Sequence, residues 1–391
     1  MMKKDTVTMW GFVRSNGKVG VRNHVLVIPS VICASETAMR IANSVNGAVA
    51  IYNQHGCSQI GADLKQTAKT LIGLGTNPNV ASVLIVGLGC ESLSTEDVAS
   101  EIAKTGKWVE CIIIQNAGGA LKTKEKGIII ARRMVREASK LQREEIDISN
   151  LTLAVECGGS DTTSGLASNP IAGCVADKLI DLGGTVIISE TAEIIGAEHL
   201  LAKRAVSREV ANKLLEMIRR TEEKAKATGV DMRGGQPTPG NIKGGITTIE
   251  EKSLGAIYKG GTRPLQGVLD YAEAPAGKGY YVMDTPGQDV ESITGMTAGG
   301  AQIVIFTTGR GTPTGSPIAP VIKITANPRT FKKMEDNIDF NASMVLEGTE
   351  TIREACERLF KEMKEVVNGK LTKAEALGHR EFGIYKLTST F

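Results

Sequence analysis

The chain has 391 residues, more than one ordinary core holds, so two domains are expected. Its formal net charge is +3 with no dense Lys/Arg run, which excludes a charge-driven nucleic-acid role; no nucleic-acid partner is expected. Residues 1–10 are polar and lack a signal-peptide core, and no apolar run nears the roughly twenty residues that span a bilayer, so no membrane role is expected either.

From the amino end, residues 10–22 form a glycine-punctuated segment with Arg14, Lys18 and Arg22, leading into an apolar strand at 25–29. Arg22 and Asn23 fit either a binding site or a solvated strand start. A helix follows over 34–45, then strand 48–52, the loop Gln54-His55-Gly56-Cys57-Ser58-Gln59 and a helix over 62–74. Strand 83–86 leads to Gly87-Leu88-Gly89-Cys90-Glu91 and a helix over 95–105; strand 109–114 leads through Gly118-Gly119 to a long helix over 122–142. Strands alternating with helices at this spacing argue for mainly parallel sheets flanked by helices. Arg143-Glu144-Glu145 reads as a solvated link, dividing an α/β domain at 1–147 from a second α/β domain at 148–391.

The second domain opens with strand 151–155 and Glu156-Cys157-Gly158-Gly159-Ser160-Asp161, then a helix over 169–182 and strand 185–189 ending at Glu190. A charged helix covers 208–226, and the Gly/Pro-rich stretch 234–245 reads as a functional loop or crossover. Strands at 280–283, 303–306 and 321–324 and a helix over 351–367 complete the reading.

Three cysteines, Cys57, Cys90 and Cys157, sit where strands hand over to helices, the end of an open α/β sheet at which ligands bind. With His55 beside them they form a candidate metal or cluster ligand set, thiolate and imidazole being good ligands for iron or zinc; small buried cysteines are the alternative. The seven cysteines, odd in number and widely spaced, fit reduced cytoplasmic thiols or metal ligands better than a disulfide framework. No C-x-x-C, H-E-x-x-H, P-loop or dinucleotide fingerprint is present. In Phe306-Thr307-Thr308-Gly309-Arg310-Gly311-Thr312-Pro313, Arg310 offers a planar fork for a carboxylate, and Thr307 and Thr308 offer hydroxyls.

These stretches resemble the altronate/galactarate dehydratase family, in its large catalytic portion. The matches are 17–23, His55-Gly56-Cys57, 87–91, 156–161 continuing to Ser164-Gly165 and Asn169-Pro170, Ser189-Glu190, and Gly196-Ala197-Glu198-His199. Pro239-Gly240-Asn241, Lys243-Gly244-Gly245, 250–255, Pro286-Gly287 and 306–313 extend them over nearly the whole chain. The resemblance implies metal-dependent dehydration of a sugar acid, an altronate-like 2,3-dihydroxy carboxylate, to a 2-keto-3-deoxy acid. Large subunits of (2R)-sulfolactate sulfo-lyase look similar, with sulfite as leaving group. Longer relatives carry a small SAF domain ahead of the matched stretch, which implies a small SAF-domain subunit as partner; a homo-oligomer is also expected.

On this reading the metal is held by some of Cys57, Cys90, Cys157 and His55, the three thiolates suiting a 4Fe–4S cluster; the rival is a mononuclear Fe²⁺ or Mn²⁺ bound by imidazole and carboxylates, which Glu198-His199 and the acidic loops suit. The acid and base come from His55, Glu91, Glu190 and His199. Arg22, Asn23, Asp161, Lys243, Thr307, Thr308, Arg310 and Lys323 are the candidate substrate contacts. A reading from another class is a non-catalytic metabolite- or metal-binding subunit whose chemistry resides in a partner.

Overall fold

The computed structural model describes residues 7–235 and 237–389. It is built on two parallel sheets flanked by helices, the α/β architecture expected from the alternation. The smaller sheet has the order β4-β3-β5-β6, from β3 (His24–Pro29), β4 (Ala48–Ala50), β5 (Val80–Gly87) and β6 (Trp108–Ile113), all parallel. Helices α1 (Ile32–Asn43) and α4 (Ala120–Ala138) cover one face, with Ile41, Ala131 and Met134 packed on Val25, Val27 and Leu84. Helices α2 (Gly61–Thr76) and α3 (Thr95–Ala103) cover the other through Leu71, Leu74, Val98 and Ile102. A strand buried on both faces reads as an apolar run, which is why these strands were visible in the sequence.

The larger sheet has the order β10-β11-β9-β8-β12-β13-β14. Its strands are β8 (Thr152–Cys157), β9 (Thr185–Ile188), β10 (Leu265–Leu269), β11 (Gly279–Met283), β12 (Ile303–Thr307), β13 (Val321–Thr325) and β14 (Phe340–Asn341), again all parallel. The chain runs outward from β8 through β9 and then returns to place β12 on the other side of β8. That reversal makes the β8/β12 boundary a topological switch point, where ligands bind at the carboxyl ends of strands. Helices α5 (Asn169–Asp181) and α8 (Ile352–Val367) pack one face and α7 (Asp289–Ala298) the other; α6 (Ile249–Ile257) lies against the α5 side. Helix α7 also packs on α2, where a Cβ at Gly73 would lie 2.4 Å from the Ala298 carbonyl oxygen, so it is shared by both sheets.

Three expectations change. Residues 143–145 do not form a solvated link: β7 (Glu144–Asp147) pairs antiparallel with β1 (Thr8–Val13), which also pairs with β2 (Val19–Gly20). Arg143 donates to the carbonyls of Trp10, Val21 and Val367, so its charge fastens three segments. The stretch 234–245 overlaps helical segments Met232–Gly235 and Pro239–Lys243, the second with a Thr238 capping box, although residue 236 lies outside the described residues. Finally, Cys174 and Cys356 form a disulfide across 182 residues of sequence, because α5 and α8 pack together; the thiols are not all reduced.

Candidate functional site

A carboxylate group gathers at the carboxyl end of the larger sheet. Glu156 is on β8, Glu190 directly follows β9, and Asp289 opens α7; one oxygen from each lies within 4.8 Å of the others. Strand alternation sends neighbouring side chains to opposite faces. Glu156 therefore shares the α7 side with Ala154, while Cys157 shares the α5 side with Leu153 and Val155. Glu156 is fully buried, and its Oε2 accepts hydrogen bonds from Ser189 Oγ at 2.9 Å and Ser292 Oγ at 2.6 Å. Its Oε1 is buried with no hydrogen-bond partner, an arrangement costly enough to call for an occupant.

Glu190 adopts φ +67°, a left-handed conformation that a non-glycine residue rarely takes, and such strain clusters at functional sites. The turn is held by the Glu190 N–H donating to Thr285 Oγ1 at 2.8 Å. Behind it, the buried Lys259 donates to Glu190 Oε2 at 3.0 Å and Glu193 Oε2 at 2.7 Å, and Lys252 reaches Glu193 at 3.5 Å.

The acids titrate apart. Burial, then the charges of Glu156 and Glu193, push Glu190 well above the usual carboxylate range against the pull of Lys259. Burial and the same two charges push the half-buried Asp289 to about 7. For Glu193 burial also favours the neutral form, but Lys259 and Lys252 outweigh it and hold the group below its ordinary value. Burial opposes the Lys259 charge, but Glu193 and Glu190 outweigh it and hold the ammonium well above its ordinary range.

Glycine shapes the rim. A Cβ at Gly158 would lie 2.7 Å from the Phe306 ring and 3.2 Å from Asp289 Oδ2, so only glycine lets β8 pass this close to the acids. The next residue, Gly159, lies against the Arg310 side chain, and its carbonyl accepts from the Arg310 N–H. Arg310 is exposed at this edge, packed on Gly159, the residue after the Gly158 that borders Asp289.

The thiol set expected from the sequence does not assemble as a single-ion site. Among the described residues the only group of three or more ligand-bearing side chains at such spacing is Glu156, Glu190 and Asp289. Cys57 and Cys90 are exposed on adjoining loops of the smaller sheet, whereas the buried Cys157 lies within reach of Ser160 Oγ at 3.2 Å and Asn169 Nδ2 at 3.8 Å. His55 is buried and turns Nε2 to the Ile384 carbonyl at 2.7 Å; a carbonyl only accepts, so Nε2 carries a proton, which in the neutral ring leaves Nδ1 as the acceptor. Its loop lies on the end of β3, since a Cβ at Gly56, at φ +101°, would meet the Ser30 carbonyl oxygen at 2.1 Å.

The other expected residues divide by their partners. The Glu91 carboxylate accepts from Ser30, Thr95 and the N–H groups of Leu88, Gly89 and Cys90. Burial opposes its charge, but these donors overcome it and hold Glu91 near 2, so it clamps its loop and makes a poor base. His199 is exposed on the helix Glu198–Lys203 and stands apart from the acid group. Arg22 is buried in a bidentate pair with Glu375 and donates to three carbonyls; Asn23 links Arg14 to the Ala138 carbonyl. These contacts fill the hydrogen-bonding capacity of Arg22, and those of Asn23 tie it to Arg14 and the end of α4.

Asp161 is buried, bonding Thr163, Ser164 and Asn327 Nδ2, and so joins two loops at the strand ends. Thr307 donates to Asn169 Oδ1, and Thr308 Oγ1 accepts from the Gly311 N–H, a turn bond. The buried Lys323 donates to the Pro313 and Thr314 carbonyls, and burial lowers its ammonium to about 8. Lys243 is exposed. Sequence reasoning missed Asp289 and Lys259, and it gave Glu156, seen only as the neighbour of Cys157, no role of its own. Asp289 looks like an ordinary acidic first-turn residue complementing a helix dipole, and Lys259 like one surface lysine among many.

Two parallel sheets with a buried acid group beside the switch point place the chain among α/β proteins with a candidate site at the strand ends. Residues 148–390 match the family described as D-galactarate/altronate dehydratase, C-terminal, and residues 11–139 match D-galactarate dehydratase/altronate hydrolase, second domain. The chain is 42% identical to the (2R)-sulfolactate sulfo-lyase subunit beta of Chromohalobacter salexigens, over 97% of each protein. It is 33% identical to the altronate dehydratase of Bacillus subtilis, over 97% of this chain and 78% of that protein. To the galactarate dehydratase (L-threo-forming) of Escherichia coli it is 34% identical, over 77% of this chain and 59% of that protein. The chain belongs to the D-galactarate/altronate dehydratase family, and it is an enzyme, a carbon–oxygen lyase of altronate dehydratase type.

Proposed function

We propose that the chain dehydrates a sugar acid bearing hydroxyls on carbons 2 and 3, with Glu156, Glu190 and Asp289 as the catalytic centre. The observation that carries this reading is the partnerless Glu156 Oε1 on a carboxylate gathered with two others at the strand ends. Three oxygen donors suit a hard divalent cation, and the surplus negative charge fits one. Glu156, Glu190 and Asp289 would hold Fe²⁺ or Mn²⁺, which when bound supplies Lewis-acid polarisation of a substrate oxygen. A 4Fe–4S cluster is not part of this proposal, since the donors gathered here are oxygens.

The chain's own residues do the rest. Ser189 and Ser292 fix Glu156 with Oε1 free, and Lys259 orients Glu190. Arg310, at the exposed edge, would dock the substrate carboxylate. His55 Nδ1, set as acceptor by the Ile384 bond, is the base proposed to take the proton from carbon 2. The carbon 3–oxygen bond then breaks, the hydroxyl leaves as water after protonation, and the enol tautomerises to the 2-keto-3-deoxy acid.

A second reading replaces water by sulfite; the specific observation behind it is the 42% identity over 97% of both chains with a sulfo-lyase subunit. That protein's name as a subunit supports a multi-subunit assembly; the partner proposed for this chain is a small SAF-domain subunit, and the place proposed is the cytoplasm. The test is anaerobic assay of the metal-loaded chain, with and without that partner, on altronate, galactarate and sulfolactate. Keto-acid formation from a sugar acid without sulfite supports dehydration; sulfite release supports the second reading. Inactivity on all three in the presence of partner and metal would overturn both.

A further inference from the structure

The amino ends of four neighbouring strands of the larger sheet border a cavity of 370 Å³. Thr152 opens β8, Thr185 opens β9, Lys278 precedes β11 and Gln302 precedes β12, and all four line it. The rest of its wall includes Lys18, in the turn between β1 and β2, and Pro78, ahead of β5. Glu156 lies four residues further along β8 than Thr152, about 13 Å at the rise of an extended strand. The cavity and the acid group therefore occupy opposite ends of the same strands.

Charge at this end is one-sided. The lining holds two lysines and no aspartate or glutamate. Two further cations, both buried, are bonded around Pro78. Arg14 donates to the carbonyls of Pro78 and Arg22 and to Asn23 Oδ1, and Lys107 donates to the carbonyls of Gly75 and Asn77. Every one of these acceptors is neutral, whereas buried charges are ordinarily paired. Burial, then the charges of Arg14 and Lys18, lower Lys107 to about 6. Burial also lowers Lys278, against the pull of Asp147, whose carboxylate accepts from the Ser149 N–H at 2.7 Å. A cleft lined by one sign of charge concentrates ions of the other.

We propose that this cavity binds a small phosphorylated metabolite, its phosphoryl group held between Lys18 and Lys278. Lysine meets phosphate as a point charge, whereas a planar carboxylate is matched by the arginine fork, and no arginine lines the cavity. Small-molecule sites run from about 300 Å³ upward, so this volume takes a short carbon skeleton besides the phosphoryl group. Thr152, Thr185 and Asn150 offer hydroxyl and amide groups to that skeleton. One lysine comes from the β1–β2 turn and the other from the larger sheet, so the ligand ties the two together.

The test is isothermal titration calorimetry with scanning fluorimetry on the full chain near neutral pH. EDTA is present, so that no cation at the acid group recruits the anion. The probes are glycerol 3-phosphate, inorganic phosphate, glycerol, and sodium chloride at matched ionic strength. Glycerol 3-phosphate should bind and raise the thermal midpoint; glycerol and sodium chloride should do neither. The double variant Lys18→Gln/Lys278→Gln changes two exposed side chains and should keep the wild-type circular dichroism spectrum and chloride midpoint. It should bind glycerol 3-phosphate at least tenfold more weakly, having lost two charge-assisted hydrogen bonds. Tighter binding of glycerol 3-phosphate than of inorganic phosphate supports an organic ligand, and equal binding supports the free ion at the same site. Absence of binding overturns the proposal. So does binding of equal strength in the double variant, as an anion held at Arg310 would show, or a midpoint rise that sodium chloride reproduces.

Discussion

Replacing Lys259 by methionine would leave Glu190 and Glu193 buried without the cation they share. Lys259 is 1% exposed, with Nζ 3.0 Å and 2.7 Å from the two carboxylates. Removing one partner of a buried pair costs about 3–5 kcal/mol, since an uncompensated charge stays behind. Lys252, 3.5 Å from Glu193, still serves one of the two acids, so the lower end, about 3 kcal/mol, is expected. At about 2 °C per kcal/mol for a large chain, the calorimetric midpoint should fall by roughly 6 °C. The pH dependence follows from the signs. In the wild type Glu193 is held below its ordinary value, so its contribution is present above the unfolded carboxylate pKa and is lost as pH falls through the folded one. In the variant both carboxyls are raised, so their penalty is full near pH 7.5 and shrinks on acidification as the folded state takes up protons first. The midpoint gap between the two proteins should therefore narrow between pH 7.5 and pH 5. A gap below about 2 °C (~1 kcal/mol) that is the same at both pH values would refute the ion-pair reasoning.

Glu156→Gln should abolish the rise in thermal midpoint that Mn²⁺ gives the wild type, measured by differential scanning fluorimetry; an undiminished rise would place the cation elsewhere. Arg22→Ala should lower the midpoint, by about 3–5 kcal/mol equivalent for the broken buried pair, while leaving KM unchanged in a steady-state assay. Arg310→Lys should raise KM for the acid substrate about tenfold or more with an unchanged midpoint, because lysine lacks the planar fork; unaltered kinetics would remove Arg310 from the site.

The sequence made the core strands legible because each is an apolar run between glycine, proline or polar breakers. The expected 83–86 and 303–306 became Val80–Gly87 and Ile303–Thr307. It concealed β1, β2 and β7: β2 is only two residues long, and the β1–β7 pairing joins segments more than a hundred residues apart through residues, such as Glu144 and Glu145, that look solvated. β10 escaped because Gln266 and Gly267 interrupt its apolar pattern. At the site, Glu190 was legible as a strand-end acid beside Ser189. The thiols misled: position after a strand does not fix the face, and alternation turns Cys157 away from the face that carries Glu156. Arg22 misled for the opposite reason, since its carboxylate partner Glu375 lies far along the chain and no local pattern reveals it.

The segment 379–388 crosses from one sheet to the other. Glu381 accepts from the Gly315 N–H, Gly383 donates to Thr294, Ile384 O receives both His55 and Gln54, and Leu387 donates to Asp63. Ile384 also completes the apolar cluster of Leu26, Leu71, Tyr271 and Ala298. On a ribosome the smaller sheet emerges on the order of tens of seconds before residue 384 does. Throughout that interval the Ile384 carbonyl is absent as a partner for the His55 ring, and the apolar cluster under α2 lacks one member. The orientation of the His55 ring is therefore completed late in synthesis, by the last segment of the chain to be made.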